Sequence, residues 1–249
     1  MGPPRPMSSD TRPAFYALAS GGWRDYVTLL HPPYTLWHLS YVAIGAGLAP
    51  HLRYGRLALA LLAFFLAVGI GAHALDELNG RPLGTRIGSG MLVALAAVSI
   101  AGAVGIGIGA AIAREPWLFA FVAVGGFIVV AYNLELLGGR FHGDLWFALD
   151  WGGFPLLTGY FAVAGRIRPE AVVAAVFATL LSLAQRLLST QVRTVRRRTQ
   201  AVSGTIVYGD GREERINAES LTRVPEAALK ALAAATICLA VALVVLHSS

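Results

Sequence analysis

Charge is what this sequence has least of. Asp, Glu, Lys and Arg make up 14% of its 249 residues, where a soluble domain carries about 25%. That shortfall argues against an ordinary soluble chain, and apolar runs of spanning length stand in its place. The runs are continuous rather than alternating, which argues against a β-barrel. Lysine is nearly missing too, with Lys230 the single one among 20 basic residues. That bias, with abundant Ala, Gly and Arg, fits a high-GC prokaryotic genome and hence an inner (plasma) membrane. Cys238 is the one cysteine and lies in an apolar run, so no intrachain disulfide forms. Met1 to Pro13 is polar and proline-rich with no apolar core directly behind it, unlike a cleavable signal peptide. Pro6 stands where a myristoylation motif needs Ser or Thr.

What is there is hydrophobicity, with a mean hydropathy of +0.62. The expected fold is all-α, a polytopic transmembrane helical bundle of about seven spans. Residues 1–31 form a disordered N-terminus and an interfacial amphipathic segment, Ala14 to Leu30. Residues 32–192 hold six spans: Tyr34–Ala49, Leu57–Leu78, Gly90–Ala113, Trp117–Leu137, Leu145–Ala164 and one from Pro169 past Leu188. Residues 193–224 form a basic segment with a small hairpin, read from the alternation at Ser203–Tyr208 and the turn at Gly209-Asp210-Gly211. Residues 225–249 hold the last span, Ala227–Leu246. The net charge of +6 is then topological and needs no nucleic acid. Arginines concentrate in alternate loops, which favours a cytoplasmic N-terminus and places the polar groups on the cytoplasmic side.

Three polar side chains end the second span. His73, Asp76 and Glu77 stand at i, i+3 and i+4, on one side of a helix. Burying them is costly unless they are paired, protonated or bound to a cation. Glu135 closes the fourth span, His142 lies in the loop beyond it, and Asp150 sits inside the fifth. His73, Asp76, Glu77, Glu135 and His142 are the candidate metal ligands, and a mixed imidazole and carboxylate set suits Fe, Mn or Zn better than Mg²⁺. Each has a plainer reading: a hydrogen bond at a helix end for His73, an ion pair with Arg140 or Arg81 for Glu135, a loop histidine for His142.

Several stretches resemble the UbiA superfamily of intramembrane prenyltransferases. Pro32-Pro33-Tyr34-Thr35-Leu36 leads into a Gly-Ala-Gly span. Ala72-His73-Ala74-Leu75-Asp76 with Arg81-Pro82 behind is similar to that family's first Asp-rich motif. Tyr132, Gly138-Gly139, Gly143-Asp144-Leu145, Gly152, Pro155, Gly159 and Tyr160-Phe161 resemble its fourth-to-fifth-helix signature. The resemblance implies a ring of helices around an apolar cavity, Mg²⁺ held by Asp-rich motifs, and transfer of an isoprenyl group from a diphosphate to a lipophilic acceptor. Asp76, Glu77 and Asp150 are the catalytic candidates: Asp76 matches the motif, Glu77 is an addition beside it, and Asp150 is a carboxylate inside a span, costly unless it has a use. Arg81, Arg193, Arg196 and Arg197 would bind diphosphate, and Tyr132, Asn133 and Asp144 the substrate. The departures are specific. The motif's Asn is Ala72, its first Asp is His73 and its later acid is Gly80. No acid stands between Glu170 and Asp210, where the second Asp-rich motif belongs.

Three functions therefore stand side by side. One is a divergent prenyltransferase, and another is an Fe, Mn or Zn enzyme acting on a lipid or isoprenoid. The third is a non-catalytic subunit that binds a lipid, quinone or pigment. The bilayer and an isoprenoid or other lipophilic small molecule are the expected partners, with a membrane-protein partner or a second copy of the chain left open.

Overall fold

The computed structural model describes residues 13–247. The disordered stretch expected at the N-terminus falls, over residues 1–12, outside them. A short helix α1 (Trp23–Leu29) leads to α2 (Pro32–Gly47). Then come α3 (Tyr54–Leu78), α4 (Ser89–Ala113) and α5 (Leu118–Asn133). A sixth helix, α6, covers residues 144–164, and α7 (Pro169–Arg198) follows. Strands β1 (Gly204–Val207) and β2 (Glu213–Ile216) pair antiparallel, Gly204 opposite Ile216, before α8 (Ala218–Leu246).

By length and composition α3, α4, α7 and α8 are four helices able to cross a membrane. The protein is an all-α integral membrane protein, the small hairpin aside. α2 and α5 have 16 residues each, roughly 24 Å of helix against a hydrocarbon core of about 30 Å.

Local chemistry sets the ends of these helices. Pro32 and Pro33 open α2, where a missing N–H costs nothing. Asn217 caps α8: its Oδ1 accepts the Ser220 N–H at 2.8 Å while Ser220 Oγ accepts the Asn217 N–H at 2.9 Å. That cap starts α8 nine residues before the expected Ala227, with Pro225 inside the helix. The fourth span was expected to reach Leu137, yet α5 stops at Asn133. Glu135, Leu137, Gly138 and Gly139 then all take positive φ, a run no right-handed helix can contain. The amphipathic segment also shortens, to the helix Trp23–Leu29.

Packing is closest between α2 and α6. A Cβ on Gly45 would overlap the Leu156 carbonyl, and one on Gly159 would overlap that of Val42, so the two backbones touch as small-residue membrane contacts do. In the centre Trp37 Nε1 donates to Tyr41 Oη at 2.7 Å and Ser182 Oγ donates to the same oxygen at 3.1 Å. Val98, Ile112, Val173 and Leu180 point outward from α4 and α7, as lipid-facing side chains should.

Candidate functional site

The end of α3 is built around a wide, π-type stretch, Phe65–Ala72, which delivers His73 into the bundle. Such turns recur at functional sites. His73 Nδ1 donates to the Gly69 carbonyl at 3.1 Å, and its ring lies 4.1 Å from that of His31. His31, in a left-handed conformation (φ 45°), donates from Nδ1 to the Leu29 carbonyl at 2.9 Å. His38 does the same to Trp151 at 2.8 Å, and His142 to Tyr132 at 3.0 Å. A carbonyl only accepts, so in all four imidazoles Nδ1 carries a proton. Burial, with His73 beside it, pushes the His31 imidazole well below its ordinary range.

Asp76 and Glu77 part company, because neighbouring helix residues point about 100° apart. Glu77 is fully buried. Its carboxylate accepts the Leu83 N–H at 3.0 Å, the Thr85 N–H at 2.8 Å and the Thr85 hydroxyl at 2.9 Å. It is the post around which the loop after α3 is wound. Asp76 instead lies within electrostatic reach of Arg193, Arg197 and His142. Tyr16 lies within reach of Asp76, Arg193 and Arg197 and packs its ring 5.6 Å from that of Tyr34. Burial, helped by the neighbouring Tyr34, raises the Tyr16 phenol far above its usual range.

The four expected diphosphate arginines split in the same way. Arg81 donates to the Ile87 carbonyl at 2.5 Å and to Ser89 Oγ at 2.8 Å, so it staples the loop. Arg196 pairs with Glu226 at 2.6 Å and ties α7 to α8. Arg193 and Arg197 lie within electrostatic reach of Asp76, and Arg193 Nη2 donates to Thr190 Oγ1 at 2.9 Å. Arg197 also donates from Nε to the Pro13 carbonyl at 3.0 Å, which lays the N-terminal segment over the cluster. Of the substrate candidates, Asp144 is held by Arg186 at 2.9 Å. Asn133 is taken up by backbone: its Nδ2 donates to Val129 at 2.7 Å, and its carbonyl accepts from Asn79 at 3.2 Å. Tyr132 is different. It is buried, and its hydroxyl has no partner among the described residues, though Asp76, Asp150, Arg186 and Arg193 lie within electrostatic reach.

The five expected metal ligands do not converge. Glu77 is spent on the loop, Glu135 is exposed in a left-handed turn, and His142 stacks on Tyr132 with ring centres 4.5 Å apart. Among the described residues no three His, Cys, Asp or Glu side chains gather in a way that could hold a metal ion. Mg²⁺ asks for several carboxylate oxygens, and Asp76 alone offers its own freely. The donor set fits neither Mg²⁺ nor Fe, Mn or Zn.

Beyond Tyr132 lies an apolar cavity of about 450 Å³ between α3, α4, α5 and α6, lined by Phe64, Ile100, Val129, Trp151 and Phe154 among others. Asp150 is 5% exposed, sits in a second π-type stretch, Leu149–Gly153, and lines the cavity. The Trp151 and Tyr132 rings, 5.6 Å apart and edge to face, stand between cavity and cluster. Sequence reasoning missed Tyr16, His31 and His38, the last buried between α2 and α6. His31, directly before Pro32-Pro33, was the one visible hint, since it must take up the chain reversal into α2.

Fold and site define an integral membrane protein with an apolar cavity beside a cationic, aromatic cluster. No protein-family model matches the chain, and neither a curated protein nor a solved structure does.

Proposed function

We propose that the protein is a divergent UbiA-like intramembrane transferase that moves an isoprenyl group from a diphosphate to a lipophilic acceptor. In this reading α2 to α8 are seven spans, with the N-terminus and the cluster on the cytoplasmic side of a prokaryotic plasma membrane. The isoprenyl chain lies in the cavity and the diphosphate meets Arg193 and Arg197. The observation that carries the reading is the Tyr132 hydroxyl, buried without a partner among the described residues and packed behind Trp151, which lines the cavity. A buried hydroxyl costs free energy until something bonds to it, and a diphosphate oxygen that entered the cluster would supply that bond once the side chains beside it moved aside.

The donor set around Asp76 does not fit a divalent cation, so the negative charge falls to guanidinium groups, which pair bidentately with phosphate oxygens. Asp76 lies within electrostatic reach of Arg193 and Arg197 and balances part of their charge. In the transfer the allylic C–O bond breaks and its electron pair leaves with the diphosphate. The acceptor's nucleophilic atom forms the new bond to that carbon, and the proton it sheds goes to Asp150. A second reading, a non-catalytic binder of a neutral quinone or pigment, is favoured by the Trp151 and Tyr132 rings closed over the cavity floor.

The test is equilibrium binding of tritiated geranylgeranyl diphosphate to the protein in nanodiscs, with and without EDTA. Binding that persists in EDTA, weakens at least tenfold in Arg193→Gln and stays within twofold in His73→Ala supports the transferase. Binding that requires Mg²⁺ and survives Arg193→Gln overturns the arginine-based site. No binding under either condition leaves the neutral-ligand reading in its place.

A further inference from the structure

The cavity has a second charged end, opposite Asp76. Arg56, Arg114 and Glu115 line it there. Arg56 Nη1 donates to the carbonyls of Ala162 and Val163 at 3.4 and 3.2 Å, which fixes the plane of the guanidinium. Its Nε is buried and has no hydrogen-bond partner among the described residues. Nε and Nη2 form one edge of the group, and that edge is the fork that takes a carboxylate side-on. On that edge Nη2 too makes no hydrogen bond among the described residues, and a carboxylate at this end of the cavity meets it first. Arg53 and Arg114 lie within electrostatic reach, as does Glu115. Glu115 Oε1 would be 2.7 Å from a Cβ on Gly165, so its carboxylate is parked against that glycine. Three arginines against one glutamate leave this end cationic.

We propose that the cavity binds a single-chain anionic amphiphile from this end, its carboxylate on Arg56 and its chain running inward toward Asp150. The dimensions agree. Arg56, Ala60, Phe64 and Val68 line the cavity from one face of α3, and the helical rise from first to last is about 18 Å. With C–C bonds of roughly 1.5 Å, a zigzag chain of about 14 to 16 carbons fills that length. One such chain occupies the apolar volume, so a two-chain lipid leaves its second chain outside. The site stands apart from the transferase reading, because its anion-binding group is at the other end of α3 from Arg193. A chain seated there excludes an isoprenyl chain from the same space.

The experiment is native mass spectrometry of the detergent-purified protein titrated with palmitate, hexadecanol or phosphatidylglycerol. Expected is one palmitate per chain, with hexadecanol and phosphatidylglycerol each at least tenfold weaker. Arg56→Gln weakens palmitate at least tenfold and Arg193→Gln changes it less than twofold. Gly126→Trp abolishes binding by filling the cavity, since a Cβ there meets only Val104 Cγ2, at 4.0 Å. Arg114→Gln, on an exposed side chain, weakens binding two- to fivefold and reports on the same end should Arg56→Gln fail to fold. Equal binding of hexadecanol, unchanged binding in both arginine variants at this end, or no binding by the wild type overturns the proposal. So does loss in Arg193→Gln with retention in Arg56→Gln, which would put the carboxylate at the other end. Tight phosphatidylglycerol binding that depends on Arg56 would overturn the single-chain ligand in favour of a bilayer lipid. Failure here leaves the prenyl diphosphate result untouched, since that test reads Arg193.

Discussion

Asp76 and Glu77 are adjacent in sequence and opposite in consequence. Glu77 accepts three hydrogen bonds from the loop it buries. Each such bond to a charged acceptor contributes about 1.5–3 kcal/mol, and removing the acceptor strands buried donors. Glu77→Ala is therefore expected to cost about 3 kcal/mol or more, read as a lower unfolding midpoint in detergent. Asp76→Asn keeps the shape of a side chain with no hydrogen-bonded partner among the described residues, so its cost is expected to be small beside that of Glu77→Ala, while ligand binding at the cluster falls. The pair stands out in the sequence because positions i+3 and i+4 from His73 share a side with it. Which carboxylate turns to the loop depends on where Leu83 and Thr85 come to rest, and no local pattern carries that.

His31 gives a pH dependence whose sign follows from its burial. Its folded pKa is lowered, chiefly by burial and then by the neighbouring His73, whereas the unfolded imidazole titrates near 6.5. Below that pH the unfolded chain takes up a proton that the folded one refuses, so stability falls as the solution becomes acidic and is fully present above it. His31→Asn tolerates the left-handed backbone and removes the titration. The drop in melting temperature between pH 7.5 and pH 5 is expected to be smaller in this variant than in the wild type.

Among the elements, α2 and α6 depend on two glycines. A methyl at Gly159 drives into the Val42 carbonyl, and backbone cannot step aside as a side chain can. Gly159→Ala is expected to lose about 3 kcal/mol or to fail in expression. Gly109→Ala in α4, with nothing within 4 Å of its new carbon, should gain up to about 1 kcal/mol from reduced backbone freedom. Purified yield and unfolding midpoint of the two variants check the contrast. Element identity was legible where one signal dominated: long apolar runs gave α3, α4, α7 and α8, and alternation around Gly209-Asp210-Gly211 gave the hairpin. Ends were misread where the decisive chemistry is positional, at Asn217, which caps α8 early, and at Glu135 and Leu137, whose left-handed backbone ends α5. Arginine roles were the least legible. Arg81, Arg193, Arg196 and Arg197 look alike in sequence, and only the fold pairs one with Glu226 and turns another onto loop carbonyls.

Across the whole molecule Trp151 lines the cavity and packs edge to face on Tyr132, which lies on the cluster side of that contact. Its ring packs against Trp151 and His142, so the side chain earns its place in the core without the oxygen. The hydroxyl, buried with no partner among the described residues, costs stability in the ligand-free protein by the desolvation of an unpaired polar group, about 1–3 kcal/mol. Folding alone would favour phenylalanine there. Tyr132→Phe is expected to raise the unfolding midpoint of the ligand-free protein, by an amount corresponding to about 1 kcal/mol, and to weaken prenyl diphosphate binding at least tenfold. Opposite signs for stability and affinity in one substitution mark a side chain held for a ligand rather than for the fold. A variant less stable than the wild type would mean that the oxygen is already bonded within the bundle, and the site would have to be sought on the Asp150 side of Trp151 instead.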